Sequence, residues 1–150
     1  MKILVLGIGN PIRSDDGVGV HVIEALRKES LSDNIDLREG ISGLDIFGAI
    51  TGYNRVIIVD AIKGGCEPGT IYKLSLKDFG DNQTLHAFST HDVDFLTMLE
   101  FGKSIFPEKI PEDIIIIAIE ADDITTISEK CTPKVEKSIQ EAVDVIKGLL

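Results

Sequence analysis

Basic residues are in short supply: fifteen Lys and Arg stand against 25 Asp and Glu in 150 residues, a formal net charge of -10. A surface of that sign repels a polyphosphate backbone, and no basic stripe or basic-aromatic cluster offers a local exception, which argues against nucleic-acid binding. Cysteine is scarcer still. Cys66 and Cys131 have no CxxC partner and no metal-ligand spacing, so they read as reduced structural or surface thiols. No apolar run approaches the roughly 20 residues that cross a bilayer; the longest, Ile114 to Ile119, has strand length. Residues 1–8 lack the basic flank and cleavage site of a signal peptide and fit a buried strand, so a cytoplasmic protein without membrane insertion is expected. Repeats, linkers and low-complexity segments are missing too, and the length suits one domain over 1–150.

What is present alternates between strand and helix. "KILVLG", "RVIIVDA" and "DIIIIAIE" are short apolar runs read as buried strands and "IDLREG" reads as a further strand, while "GTIYKLSL" alternates in period two and predicts an edge or hairpin strand. Val18, Val22, Ile23 and Leu26 recur at helical spacing, "LDIFGAI" predicts a short helix, and Val93, Leu96 and Leu99 line one face of a helix from Asp92 to about Lys103. Thr132 followed by Pro133 predicts a helix start, the threonine as N-cap, with Val135, Ile139, Val143 and Ile146 as the buried stripe. Continuous Val/Ile/Leu strands between helices predict an α/β fold with a mostly parallel sheet covered on both faces. In such folds ligands bind beyond the carboxyl ends of the strands.

The first strand runs into "GIGNPIRSDDGVG", which begins like a dinucleotide-binding turn. The third glycine of that fingerprint is Ile12, Pro11 removes a backbone N–H, and Asp15 and Asp16 stand where a pyrophosphate would sit. A nucleotide cofactor is therefore disfavoured. Helix capping by Ser14 or Asp15, with Asp16 adding a favourable dipole contact, accounts for one acid and leaves the other open to a different role.

Asp60 closes "RVIIVD" much as Asp16 follows "KILVLG", and His91 stands in "FSTHDVDF" ahead of a helix. If the strands are parallel, these three groups converge on one edge. Two carboxylates and an imidazole suit Ni(II), Zn(II) or Fe(II) with positions left open. Each has a plainer alternative: Asp60 could bond the Gly64-Gly65 turn, and His91 could be a surface or capping residue. His21, inside a helix, and His86, in a polar loop, are weaker candidates; Glu120, Asp122 and Asp123 read as a solvated acidic loop held in reserve.

"MKILVLGIGNPIRSDDGVG", "RVIIVDAI" followed by "PGTI", and "STHDVDFLTML" resemble, in order and spacing, the hydrogenase maturation endopeptidases, and the likeness extends through the terminal "TPKVEKSIQEAVDVIKGLL". The resemblance implies a three-layer αβα sandwich around a twisted, mostly parallel sheet. It maps the family's metal-contacting acid to Asp16, its second carboxylate to Asp60 and its histidine to His91. It further implies an aspartic-type endopeptidase that removes the C-terminal tail of the nickel-iron hydrogenase large-subunit precursor after nickel insertion. The nickel would be the substrate's, recognised in trans, with no nucleotide and no resident cofactor required. One departure stands out: where the family often has Asp before Gly, this chain has Glu39-Gly40, leaving Glu39 a rim candidate without an assigned role. A non-catalytic nickel-binding or chaperone module on the same scaffold is the alternative, and a chain of this size can act as a monomer.

Overall fold

The computed structural model describes residues 1–40, 45–75 and 95–150, with the backbone alone for 95–98. Among the described residues five strands form one sheet: β1 (Ile3–Gly7), β2 (Ile35–Glu39), β3 (Arg55–Ile62), β4 (Ile71–Ser75) and β5 (Asp113–Glu120). Their order is β2-β1-β3-β5-β4. β2, β1, β3 and β5 are mutually parallel, and β4 runs antiparallel to β5 at the edge. The apolar runs occupy the centre because both of their faces are covered. Among the described residues β4 pairs with β5 alone, and it alternates because its two faces differ, with Lys73 exposed on one and Tyr72 and Leu74 packed on the core from the other.

Period-two alternation divides the core. Leu4, Leu6, Val56, Ile58, Ile114 and Ile116 face one way, against Ile46 and Ile50 of α2 (Asp45–Ile50) and Leu99 of α3 (Phe95–Ile105). Val5, Ile57, Val59, Ile115 and Ile117 face the other, against α1 (Val18–Leu26) and α4 (Pro133–Lys147). The expected three-layer α/β architecture is present. The helix expected from Asp92 is described from Phe95 onward; Asp92 and Val93 lie outside the described residues. Among the described residues no helix is long and apolar enough to cross a membrane.

The expected stripe of α4 is buried at Val135, Val143 and Ile146, while Ile139 is half-buried. Thr132 takes the N-cap position, with Pro133 in the first turn, but its side chain makes no capping bond. Its hydroxyl donates instead to Asp15 Oδ2 at 2.7 Å. A buried carboxylate offers a hydroxyl a stronger, charge-assisted bond than a backbone group does.

Glycines let β1, β3 and α1 meet closely. A Cβ on Gly19 would lie 2.4 Å from the Val59 carbonyl oxygen and 2.7 Å from that of Ile8. Both obstacles are backbone, so Gly19→Ala is expected to cost about 3 kcal/mol, the upper end of overpacking penalties. Urea unfolding measures this, and a loss below about 0.5 kcal/mol, an ordinary surface effect, would contradict the close approach.

Candidate active site

The connections β1-α1-β2 and β3-β5 leave the sheet in opposite directions, so the boundary between β1 and β3 is the topological switch point. Asp16 follows β1 and Asp60 lies near the end of β3, on adjacent parallel strands where Gly7 is in register with Val59. The Ile8 N–H donates to the Val59 carbonyl at 3.0 Å, and the 3-10 turn Ser14–Gly17 that carries Asp16 packs on β3. Both acids are buried, Asp16 at 4% and Asp60 at 3% exposure.

The turn closes on itself. Gly9 has φ +120, and a Cβ there would sit 1.9 Å from the Asp16 carbonyl oxygen. The Asn10 N–H, a group that a phosphate cradle would aim at its anion, donates to Asp16 Oδ2 at 2.9 Å. Capping by Ser14 or Asp15 is not what the structure has: Arg13 and Gly17 occupy the N-cap positions of the 3-10 turn and of α1, and neither makes a side-chain cap bond. The 3-10 turn inserts four residues before α1 and turns them inward, so all of Ser14–Gly17 is buried.

Asp15 and Asp16 consequently have different partners. Asp15 is fully buried, and its carboxylate accepts the Asp122 N–H at 2.9 Å, the Asp123 N–H at 3.0 Å, the Thr132 N–H at 2.7 Å and the Thr132 hydroxyl at 2.7 Å. It joins the first turn to the β5-α4 loop, a connection of 107 to 117 residues in sequence. A neighbour of this anchor is the half-buried Cys131, whose thiol is pushed up to about 12 by burial first and then by the charges of Asp15 and Glu136. Cys66 is exposed. At pH 8 iodoacetamide is expected to label Cys66 at least 100-fold faster than Cys131, because the thiolate is the nucleophile; equal labelling followed by peptide mass would contradict the burial.

Asp60 Oδ1 accepts the Ala61 N–H at 2.8 Å. The job of tying down the Gly64-Gly65 turn falls to Glu120 instead, whose carboxylate accepts the Gly64 N–H at 2.8 Å, the Cys66 N–H at 2.9 Å and the Tyr72 hydroxyl at 3.4 Å. The Tyr72 pKa is raised above its ordinary value, first by its hydrogen bond to Cys66, then by burial, and also by the Cys66 and Glu120 charges. With 1% exposure, Glu120 is no part of a solvated loop. The signal for it was the alternation Ile114, Ile116, Ala118, Glu120, which puts the acid on the core face shared by Val56, Ile58 and Asp60. Asp122 and Asp123 do lie in the loop. Asp122 is exposed, and Asp123 accepts the Thr125 and Thr126 N–H groups at 2.9 and 3.0 Å, its pKa lowered chiefly by the Thr126 hydroxyl.

Glu39 does not join the rim. Strand alternation turns it to the α1 face with Ile35 and Leu37, where Arg27 pairs with it at 2.6 Å, while Asp60 is on the opposite face. His21 on α1 lies 3.3 Å from Glu24. His91 and His86 lie outside the described residues. Asp16 and Asp60 are thus the two sequence candidates that the described backbone brings to one edge. Among the described residues no three His, Cys, Asp or Glu side chains are grouped to hold a metal ion. A pair of carboxylates at a switch point can supply two oxygen ligands to a divalent ion that brings other donors, or one general base.

The family model described as hydrogenase maturation protease matches residues 20–148. The hydrogenase expression/formation protein HupD of Rhizobium leguminosarum bv. viciae is 31% identical over 99% of this chain and 74% of its own length. The hydrogenase 2 maturation protease of Escherichia coli is 27% identical over 100% of this chain and 91% of its own. Among solved structures, the hydrogenase maturating endopeptidase HybD from E. coli superposes with a TM-score of 0.81 at 26% identity, covering 100% of this chain and 92% of that one.

Proposed function

The chain belongs to the hydrogenase maturation protease family, whose members are peptide-bond hydrolases, and from that premise we propose that it removes the C-terminal tail of the nickel-iron hydrogenase large-subunit precursor once nickel is in place. The observation that carries this reading is the pair of buried carboxylates, Asp16 and Asp60, flanking the β1/β3 switch point. Asp16 and Asp60, with His91 as the third donor, approach the nickel already held by the precursor. The metal belongs to the substrate, and the protease requires no nucleotide and no cofactor of its own.

Two carboxylates fixed by backbone N–H groups, those of Asn10 and Ala61, are oriented before the substrate arrives. Nickel contact then places the scissile carbonyl, which converts a search for the bond into a positioned encounter. One carboxylate accepts a proton from the attacking water as its oxygen bonds to the carbonyl carbon. As the C–N bond breaks, that proton passes to the leaving amine, and the carboxylate is regenerated. The aspartic-type label is used in this sense, of an acid acting on water. Such processing belongs to the cytoplasm, and one chain suffices for it.

Incubating the protein with nickel-loaded and nickel-free precursor, and weighing the products by intact mass spectrometry, tests the reading. Loss of a defined C-terminal tail from the nickel-loaded form alone is expected. A stable complex with nickel-loaded precursor and no loss of mass would contradict proteolysis and favour the non-catalytic nickel chaperone.

A further inference from the structure

We propose that Asp15, clamped by the β5-α4 loop, is the positioning residue for Asp16. Its link to cleavage rests on the functional reading above; its structural part does not.

Four donors to the Asp15 carboxylate, the N–H groups of Asp122, Asp123 and Thr132 and the Thr132 hydroxyl, come from the β5-α4 loop. The backbone repeats the connection. Asp15 N–H donates to the Asp123 carbonyl at 2.9 Å, Ser14 N–H to the Ser128 carbonyl at 2.9 Å, and Ser128 N–H to the Ile12 carbonyl at 2.9 Å. Between them Ser14 sits at φ 52, a left-handed conformation that a non-glycine residue keeps only where its surroundings impose it.

The clamp ends one peptide bond before Asp16. In a 3-10 turn with about three residues per turn, neighbouring side chains diverge by roughly 120°. Asp15 therefore reaches the β5-α4 loop while Asp16 is directed elsewhere, to the Asn10 N–H within its own turn. Asp16 N–H donates to the Arg13 carbonyl at 3.1 Å, completing the turn. Because ω is planar and Asp15 is held at its N–H and at both carboxylate oxygens, the Cα of Asp16 has little freedom that the loop does not set. Displacing a reacting group by about 1 Å can cost 10²-fold in rate, so a clamp at this point bears on catalysis without touching substrate.

The test uses Thr132→Val, which removes one donor and keeps the Thr132 N–H, beside Thr132→Ser, which keeps the hydroxyl, and Asp15→Asn as the stronger lesion. Hydrogen exchange at the Asn10 amide reports the Asp16 carboxylate directly. In Thr132→Val and Asp15→Asn that amide is expected to exchange at least tenfold faster, with the amides of β3 and β5 changed less than twofold and Thr132→Ser close to native. Precursor processing should show kcat reduced at least fivefold in Thr132→Val, with KM within twofold, and restored in Thr132→Ser. Unchanged Asn10 protection in Thr132→Val, or a loss shared equally by β3 and β5, overturns the proposal and leaves Asp15 an ordinary stability anchor. Selective loss at Asn10, with no precursor cleaved even by the native chain, upholds the clamp and removes the proteolytic reading.

Discussion

Asp16→Asn and Asp60→Asn are each expected to slow removal of the tail from a nickel-loaded precursor by about 10²- to 10⁴-fold, the range for loss of a positioned acid-base group. Asparagine keeps the shape of aspartate and an oxygen that can accept the Asn10 or Ala61 N–H, while the negative charge and one acceptor oxygen are lost. Both side chains are almost wholly buried, and a charge held out of water is seldom favourable to folding. The variants should therefore unfold within a few degrees of the native chain or above it. Loss of activity with stability kept is the signature of a functional carboxylate. Native rates in both variants, followed by intact mass against time, would remove the acid pair from the mechanism.

Glu120 should behave in the opposite way. Glu120→Ala takes the acceptor from the Gly64 and Cys66 N–H groups and from the Tyr72 hydroxyl, with the acid itself at 1% exposure. Each buried donor left without a partner costs about 1–3 kcal/mol, and entering water recovers part of it. A net loss of about 3 kcal/mol is expected in urea unfolding. Asp122→Ala, at an exposed position two residues on, should stay within about 0.5 kcal/mol of native. If both variants unfold alike, the Glu120 contacts are not stabilising ones.

The contrast shows what could be read from sequence. Central strands announce themselves locally, because a strand with neighbours on both sides and helices on both faces must be apolar along its length, as Ile114 to Ile119 is. Strand β4 betrayed itself by alternation because Lys73 is exposed on one face while Tyr72 and Leu74 pack on the core from the other. That Asp16 and Asp60 share an edge followed from parallel strands. The β1/β3 switch point, by contrast, needed the observed strand order. Partners chosen across long separations were not legible. Thr132 looks like a cap beside Pro133, yet its hydroxyl meets an aspartate 117 residues away. Glu39 looks like a rim acid until strand register turns it toward Arg27. In both cases local chemistry identified a polar group correctly and the tertiary fold selected its partner. His91 lies outside the described residues, so its part in the site rests on the family resemblance.

The most direct measurement of the central claim, that Asp16 and Asp60 read nickel carried by the substrate, is the affinity of the protein for nickel-loaded and nickel-free precursor, compared with that of Asp16→Asn/Asp60→Asn. The native chain should bind the nickel-loaded form at least tenfold more tightly, a difference of about 1.4 kcal/mol, and the double variant should bind both forms alike. Equal affinity of the native chain for the two forms, or a preference that survives the double substitution, would contradict it.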